Sequence, residues 1–212
     1  MAYRTIIFDF DGTLADTLEE SRLIFNKLAV DYGMPEISAE QLPALRHLSL
    51  RDLLKKLKIP KRRVPGIIAK GTALMRGNIQ SLQLIQGIGE ALPKLREITD
   101  SFGVLTSNAT TNVDLFLRNH GLRSHFDFIS STSKLTGKSK HLKAIRKTFS
   151  LNAEEMLYVG DEIRDIKASK KAGIPVVAVT WGFNSEESLA DEKPDHIISN
   201  PIDLVTLVNE HD

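Results

Sequence analysis

The chain has 212 residues, of which 42% are hydrophobic and 26% charged, as is usual for a globular protein. Its 28 Lys and Arg face 27 Asp and Glu, so a formal net charge of +1 gives no reason to expect a nucleic-acid or membrane partner. The absence of cysteine excludes disulfides, thiol catalysis and cysteine-based metal sites, and it fits a cytoplasmic protein. We expect no signal peptide and no membrane-spanning segment, because the first residues lack the charged-then-apolar pattern and no apolar run approaches about 20 residues.

The first predicted element is a buried strand over Thr5 to Phe8, followed by two carboxylates. Asp9 and Asp11 are two residues apart, so in extended chain they face the same side. Two such acids repel each other and are costly to desolvate, and a bound divalent cation offsets that cost. Mg²⁺ suits the position because it prefers carboxylate and phosphate oxygens. Turn-capping acids at an exposed strand end are the alternative.

A long helical region follows this strand. A helix beginning at Asp16 or Thr17 leads into a helical pattern that continues to about Leu84, and no strand is predicted within it. A helical block of this length after a first strand indicates an inserted domain. The predicted division is a core of residues 1–15 and 84–212 and a helical insert of residues 16–83.

Beyond the insert, apolar strands alternate with helices. The further strands are predicted at residues 102–106, 126–130, 156–159, 175–180 and 196–198. This alternation predicts an α/β fold with a Rossmann-like parallel sheet built from right-handed βαβ units. Ligands of such sheets bind beyond the carboxyl ends of the strands. Polar residues follow three strands at that end: Asp9 with Asp11, then residues 106–108, then Asp161.

Four short motifs on these elements resemble those of the haloacid dehalogenase superfamily, in the form its phosphatases carry. They are Asp9-Phe10-Asp11-Gly12-Thr13, then Thr106, then Lys138 after Gly137, and last Gly160-Asp161-Glu162-Ile163-Arg164-Asp165. Residues 166–175 and 179–182 are similar to the corresponding segments of phosphoglycolate-phosphatase-like members. The resemblance implies a helical cap domain at the position of residues 16–83.

The resemblance assigns the chemistry to the first motif. Asp9 is the implied nucleophile, which forms an aspartyl-phosphate, and it is also a metal ligand. Asp11 is the implied general acid and base, and its backbone carbonyl is a further metal ligand. The dehalogenases of the family typically lack the second acid, so Asp11 favours phosphoryl transfer.

The second and third motifs imply phosphate binding. The residues concerned are Thr106, Ser107, Asn108 and Lys138. The alternative for Thr106 is a strand-end turn, which is common and which this residue taken by itself favours. Lys134 and Lys140 are close neighbours of Lys138 in the sequence, but the preceding Gly137 and the start of a helix favour Lys138.

The fourth motif implies the remaining Mg²⁺ ligands, Asp161 and Asp165. Asp165 either binds the metal directly or through water, or it orients Lys138. The alternative interprets Asp161 as a helix N-cap with acids in the first turn, which is favourable without any metal.

The predicted function is Mg²⁺-dependent hydrolysis of a small phosphate monoester, phosphoglycolate-like or a sugar phosphate. A mutase resembling β-phosphoglucomutase is the nearest rival, although its fourth motif usually reads Glu-Asp where this chain has Gly160-Asp161. A pyrophosphatase is also possible, and a regulatory protein on an inactive scaffold is less favoured because all the acids are present.

The cap is expected to determine specificity. Arg46 and His47 lie where capped relatives place substrate-contacting residues, and a cation there can meet a carboxylate or a second phosphate. The alternative is a solvated basic face, which the many lysines nearby favour. The expected partner is a small phosphorylated metabolite, and the protein is expected to be a monomer or homodimer.

Overall fold

The computed structural model describes residues 3–132 and 137–211. Its strands are β1 (Thr5–Phe8), β2 (Ala15–Asp16), β3 (Gln83–Leu84), β4 (Ser101–Thr106), β5 (Phe128–Ser131), β6 (Met156–Gly160), β7 (Val176–Val179) and β8 (His196–Ile198). Its helices are α1 (Leu18–Tyr32), α2 (Leu42–Leu45), α3 (Leu50–Lys56), α4 (Val64–Asn78), α5 (Ile88–Ile98), α6 (Thr110–Asn119), α7 (Lys138–Thr148), α8 (Ile163–Ala172), α9 (Glu186–Ala190) and α10 (Pro201–Glu210). No described helix is both long and apolar enough to cross a membrane.

Six strands form one parallel sheet in the order β5-β4-β1-β6-β7-β8. The first strand lies inside the sheet, and Phe8 is in register with Val104 on one side and Val159 on the other. This arrangement confirms the predicted α/β fold with a parallel sheet. Because β1, β4 and β6 are neighbours, the three polar groups that follow them meet at one edge of the sheet.

The sheet is buried on both faces, as expected of parallel strands covered by helices. Successive residues of β1 face opposite sides, so Ile6 and Phe8 belong to one core cluster and Ile7 to the other. Leu105 and Tyr158 from the neighbouring strands join Ile7 in the second cluster. The central strand is therefore held between two apolar layers, and the residues after it start from a fixed position.

The region between β2 and β3 is helical, as predicted. The prediction fails at β3 itself. Gln83–Leu84 is a short strand, and it pairs antiparallel with Ala15–Asp16. The expectation of helix up to Leu84 was wrong at this point, because a two-residue strand is too short to show alternation and its partner is distant in sequence. The pair joins the two ends of the predicted insert, whose division from the core stays a prediction. We call residues 16–83 the cap below.

Candidate active site

The site lies at the carboxyl edge of β1, β4 and β6. Asp9 directly follows β1, and its backbone N–H donates to the carbonyl of Val159 at 2.8 Å, which extends the sheet pairing by one residue. Its side chain is 3% exposed. The carboxylate is thus presented by the most constrained strand of the fold.

Lys138 joins two of the predicted acids. Its Nζ lies 2.6 Å from Oδ2 of Asp9 and 2.6 Å from Oδ1 of Asp165, and all three side chains are buried. The lysine is the first residue of α7, as the third motif predicts. Of its two sequence neighbours, Lys140 is exposed and Lys134 lies outside the described residues. The buried ion triad makes Lys138 the cation of the site.

The electrostatics of the site are unbalanced. Burial raises the pKa of Asp9 to about 7, and Asp165 adds to this while Lys138 opposes it. Burial also raises the pKa of Asp161 well above its ordinary value, with Glu162 next in effect. Although burial lowers it, the pKa of Lys138 is raised by Asp165 and Asp9. A divalent cation is the kind of ligand that this surplus of carboxylates over cations could hold.

The acids that could share a cation differ in part from the predicted set. One ligand oxygen each of Asp9, Glu162 and Asp165 lies within 4.8 Å of the others. Glu162 was not among the predicted ligands, although it is adjacent to Asp161. Asp11 and Asp161 are outside this group in the part of the chain that the structure describes.

Asp161 is held by two donors from other segments. Its Oδ1 accepts from the hydroxyl of Thr13 at 2.6 Å, and its Oδ2 accepts from the backbone N–H of Phe183 at 2.7 Å. The alternative that made Asp161 a helix N-cap was wrong, because α8 begins at Ile163 and Glu162 is its N-cap. Asp161 is therefore a fully buried carboxylate just before the helix, oriented by the turn of the first motif.

Asp11 occupies a different environment from Asp9. It is partly buried and borders the cavity described below. The side-chain amide of Asn108 donates to its two carboxyl oxygens at 3.1 and 3.2 Å. Burial raises the pKa of Asp11, and the Asn108 hydrogen bond opposes that shift. A carboxyl group with a raised pKa beside a cavity suits the exchange of protons with a substrate.

The strand-end turn after β4 is present. Oγ1 of Thr106 accepts from the backbone N–H of Asn108 at 2.9 Å, so this hydroxyl already has a structural partner. Oδ1 of Asn108 accepts from Nδ2 of Asn112 at 2.9 Å, which fixes the amide that faces Asp11. Ser107 borders the cavity. Ser107 and Asn108 therefore face the space where a phosphate would lie, whereas Thr106 shapes the turn.

A cavity of about 370 Å³ lies between this edge and the cap. Its core side includes Asp11, Ser107, Asn108, Glu162 and Arg164, and the cap side is mainly leucine and isoleucine. Arg164 is paired with Glu162. The volume falls in the range of small-molecule sites.

The two predicted substrate residues of the cap have different surroundings. Arg46 borders the cavity, and its Nη2 donates to the carbonyls of Thr180 and Asn184 at 2.7 and 3.3 Å. Its Nε is buried and finds no hydrogen-bond partner among the described residues. His47 is half-exposed, and its Nδ1 lies 2.9 Å from Oγ of Ser185. Arg46 thus has one unpaired donor, while His47 contacts the core surface.

Several residues that organise the site carried no sequence signal of their role. Thr13 and Glu162 stand inside the first and fourth motifs, so proximity to the motif acids was the available clue. Phe183 and Asn184 lie after β7, and nothing in their local pattern relates them to Asp161.

Comparisons with known proteins agree with this geometry. The sequence profile of the family described as haloacid dehalogenase-like hydrolase matches residues 6–179. A phosphoglycolate phosphatase from Synechococcus elongatus is 32% identical, with 98% of both chains covered. A pyrophosphatase from Oceanobacillus iheyensis is 25% identical, with 99% of both chains covered.

The solved structures show the same fold. The structure of a protein described as a predicted phosphatase, from Clostridium acetobutylicum, superposes with a TM-score of 0.85 at 19% identity, covering 99% of this chain and 100% of the other. A haloacid dehalogenase-like family protein from Streptococcus pneumoniae gives a TM-score of 0.81 at 22% identity, covering 96% and 97%. The chain therefore belongs to the haloacid dehalogenase-like hydrolase family and groups with its phosphatases.

Proposed function

We propose that Asp9 and Asp11 carry out the hydrolysis of a small phosphate monoester in this protein. The observation that carries the proposal is the contrast between the two acids. Asp9 is buried against Lys138, whereas Asp11 is two residues away, partly buried and beside the cavity. Two carboxyl groups with such different surroundings suit two different roles.

The reaction divides into two displacements. An oxygen of Asp9 forms a bond to phosphorus as the ester P–O bond breaks, and Asp11 gives its proton to the departing alkoxide. Water then attacks the phosphorus of the aspartyl-phosphate, Asp11 accepts a proton from that water, and the bond to Asp9 breaks to release phosphate. Lys138, together with Ser107 and Asn108, stabilises the charge on the phosphoryl oxygens.

The donor set fits Mg²⁺. Asp9, Glu162 and Asp165 provide hard carboxylate oxygens close together. Asp9, Asp161 and Asp165 are buried, and Lys138 is the cation that pairs with two of these three acids. The ion would be held by the carboxylates of Asp9, Asp161, Asp165 and Glu162 and by the backbone carbonyl of Asp11. When bound, Mg²⁺ supplies charge stabilisation to the transferring phosphoryl group.

The substrate class rests on Arg46. Arg46 borders a cavity wall that is mainly leucine and isoleucine, and its buried Nε has no hydrogen-bond partner among the described residues. A substrate acceptor that met the guanidinium group would supply that partner. A carboxylate is such an acceptor, and the relative from S. elongatus is named a phosphoglycolate phosphatase. We therefore propose phosphoglycolate or a similar small carboxylated phosphate monoester as the substrate. A cytoplasmic location belongs to the same proposal.

The test is phosphate release from a panel of phosphoglycolate, sugar phosphates, nucleotides and pyrophosphate, with and without Mg²⁺. Wild type should release phosphate only with Mg²⁺, and phosphoglycolate should rank first. Asp9→Asn should be folded by circular dichroism yet at least about 10⁴-fold slower. Release of phosphate by Asp9→Asn at the wild-type rate would refute the nucleophile. Preference for pyrophosphate would instead favour the activity for which the O. iheyensis relative is named.

A further inference from the structure

Asn184 is a buried side chain whose three hydrogen bonds join two separate parts of the molecule. Its Oδ1 accepts from the backbone N–H of Ile163, the first residue of α8, at 3.0 Å. Its Nδ2 donates to the carbonyls of Arg46 and Leu48 in the cap at 2.9 and 3.0 Å. One rigid amide therefore bridges the start of the fourth-motif helix and the cap.

The backbone beside Asn184 holds the loop of Asp161. The N–H of Asn184 donates to the carbonyl of Asp161 at 3.2 Å, and the N–H of Phe183 donates to its carboxylate. Gly182 packs so closely that an added Cβ would overlap the Asp161 side chain. The segment from Gly182 to Asn184 is thus fitted to both the main chain and the carboxylate of Asp161.

The cap docks on the same segment. The carbonyl of Arg46 accepts from Nδ2 of Asn184, from the N–H of Ser185 at 2.9 Å and from Oγ of Ser188 at 3.3 Å. Among the described hydrogen bonds of these three donors, the side-chain bond to the start of α8, at Ile163, belongs to Asn184. If residues 46–48 move away, its amide loses both cap acceptors, and among its described side-chain hydrogen bonds only the one from Ile163 then orients it.

We propose that Asn184 is a positioning residue that couples docking of cap residues 46–48 to the arrangement of the Asp161 loop. Because coupling of two equilibria is reciprocal, a cation that orders the Asp161 loop should favour the docked cap, and a docked cap should favour cation binding. The inference rests on the proposed function in one respect, that Mg²⁺ binds at Asp9, Asp161 and Asp165. It assigns to Asn184 an effect on geometry and no contact with substrate.

The experiment combines two measurements on the intact protein. Calorimetry gives the Kd for Mg²⁺, and hydrogen–deuterium exchange gives the protection of amides 46–53 with and without Mg²⁺. In wild type, Mg²⁺ should slow exchange in this cap segment. In Asn184→Ala, the Kd should rise about fivefold or more, and Mg²⁺ should no longer change the exchange. Ser188→Ala is the matched control, since it loses a bond to the same carbonyl but should keep the Mg²⁺ effect.

Asn184→Asp separates the contact with Ile163 from the contacts with the cap carbonyls. It replaces Asn184→Ala in the experiment if the alanine variant does not fold. Aspartate keeps an acceptor for Ile163, where a negative charge at a helix start is favourable, but it has no donor for the cap carbonyls. It should bind Mg²⁺ while its cap segment exchanges fast regardless of Mg²⁺. Mg²⁺-dependent protection that persists in both Asn184 variants would overturn the inference. Failure of wild type to bind Mg²⁺ would instead overturn the proposed metal site, and the inference with it.

Discussion

The edge of the sheet and the cap are built on different principles. At the edge, Asp9, Lys138, Asp161 and Asp165 are buried and each has a partner at 2.6–2.7 Å on another element. The cap instead has a small apolar cluster around Ile37 and a wall of leucines on the cavity. The difference teaches that the proposed reaction chemistry sits on constrained elements, while the proposed substrate selection rests on a mainly apolar wall of the cap.

After Asp9→Asn, the largest effect should come from removing the buried Lys138 cation. Lys138→Met leaves Asp9 and Asp165 buried without their shared partner, so we expect kcat to fall by about 10²–10³-fold. The free energy of unfolding should fall by about 3–5 kcal/mol, because breaking a buried ion pair leaves uncompensated charge. Steady-state kinetics and urea unfolding measure these effects.

Lys140→Met is the control for that prediction. Lys140 is exposed on the same helix, so its replacement should change stability by less than about 0.5 kcal/mol and leave kcat at the wild-type value. Equal effects of the two substitutions would show that Lys138 has no special place at the edge of the sheet.

Two glycines sharpen the comparison between the edge and the cap. Gly12 and Gly33 both have a positive φ, 78° and 60°. A Cβ on Gly12 would overlap the carboxylate of Asp161, whereas one on Gly33 meets nothing within 4 Å. We expect Gly33→Ala to cost about 1–2 kcal/mol from the left-handed backbone alone. Gly12→Ala should cost at least about 1 kcal/mol more and weaken Mg²⁺ binding. Equal costs in urea unfolding would contradict the tight packing at Asp161.

The raised pKa of Asp9, about 7 in the metal-free protein, predicts a pH dependence of Mg²⁺ binding. A metal ligand must be deprotonated, so protons compete with Mg²⁺ below pH 7 and stop competing above it. The Kd should therefore rise by up to about tenfold for each pH unit below 7 and level off above it. Calorimetry between pH 5.5 and 8.5 tests this. Asp9→Asn should lose this dependence of the Kd on pH. A Kd independent of pH in wild type would refute the assignment of Asp9 as a metal ligand with a raised pKa.

The smallest effect concerns the cap. Arg46→Gln should lower kcat/KM for phosphoglycolate by about 10-fold or more, because a hydrogen bond to a charged group is worth about 1.5–3 kcal/mol. Ethyl phosphate, which lacks the carboxylate, should lose less, since weaker docking of the cap is then the only change. The ratio of the two kcat/KM values is the readout. An unchanged ratio would leave Arg46 as a docking residue alone.

The sequence by itself determined the fold and predicted where the chemistry takes place. Apolar runs alternating with helical patterns predicted the parallel sheet, and the polar residues after β1, β4 and β6 predicted the reactive edge. Such features are local, because a buried strand and the polar residues after it occupy consecutive positions in the sequence. The motif acids were recognisable for the same reason, since each motif occupies a few consecutive residues.

Only the tertiary structure decided how these acids are held. Glu162 joins Asp9 and Asp165, Asp161 turns toward Thr13, and Asn184 bridges to the cap. The β2–β3 pair also escaped prediction. Each of these features depends on segments that are far apart in sequence. A hydrogen bond to a distant backbone group produces no periodic pattern in the sequence, so it cannot be predicted from one. Their positions follow from how the elements pack. The local sequence pattern therefore predicted the motif acids but not the residues that hold them in place.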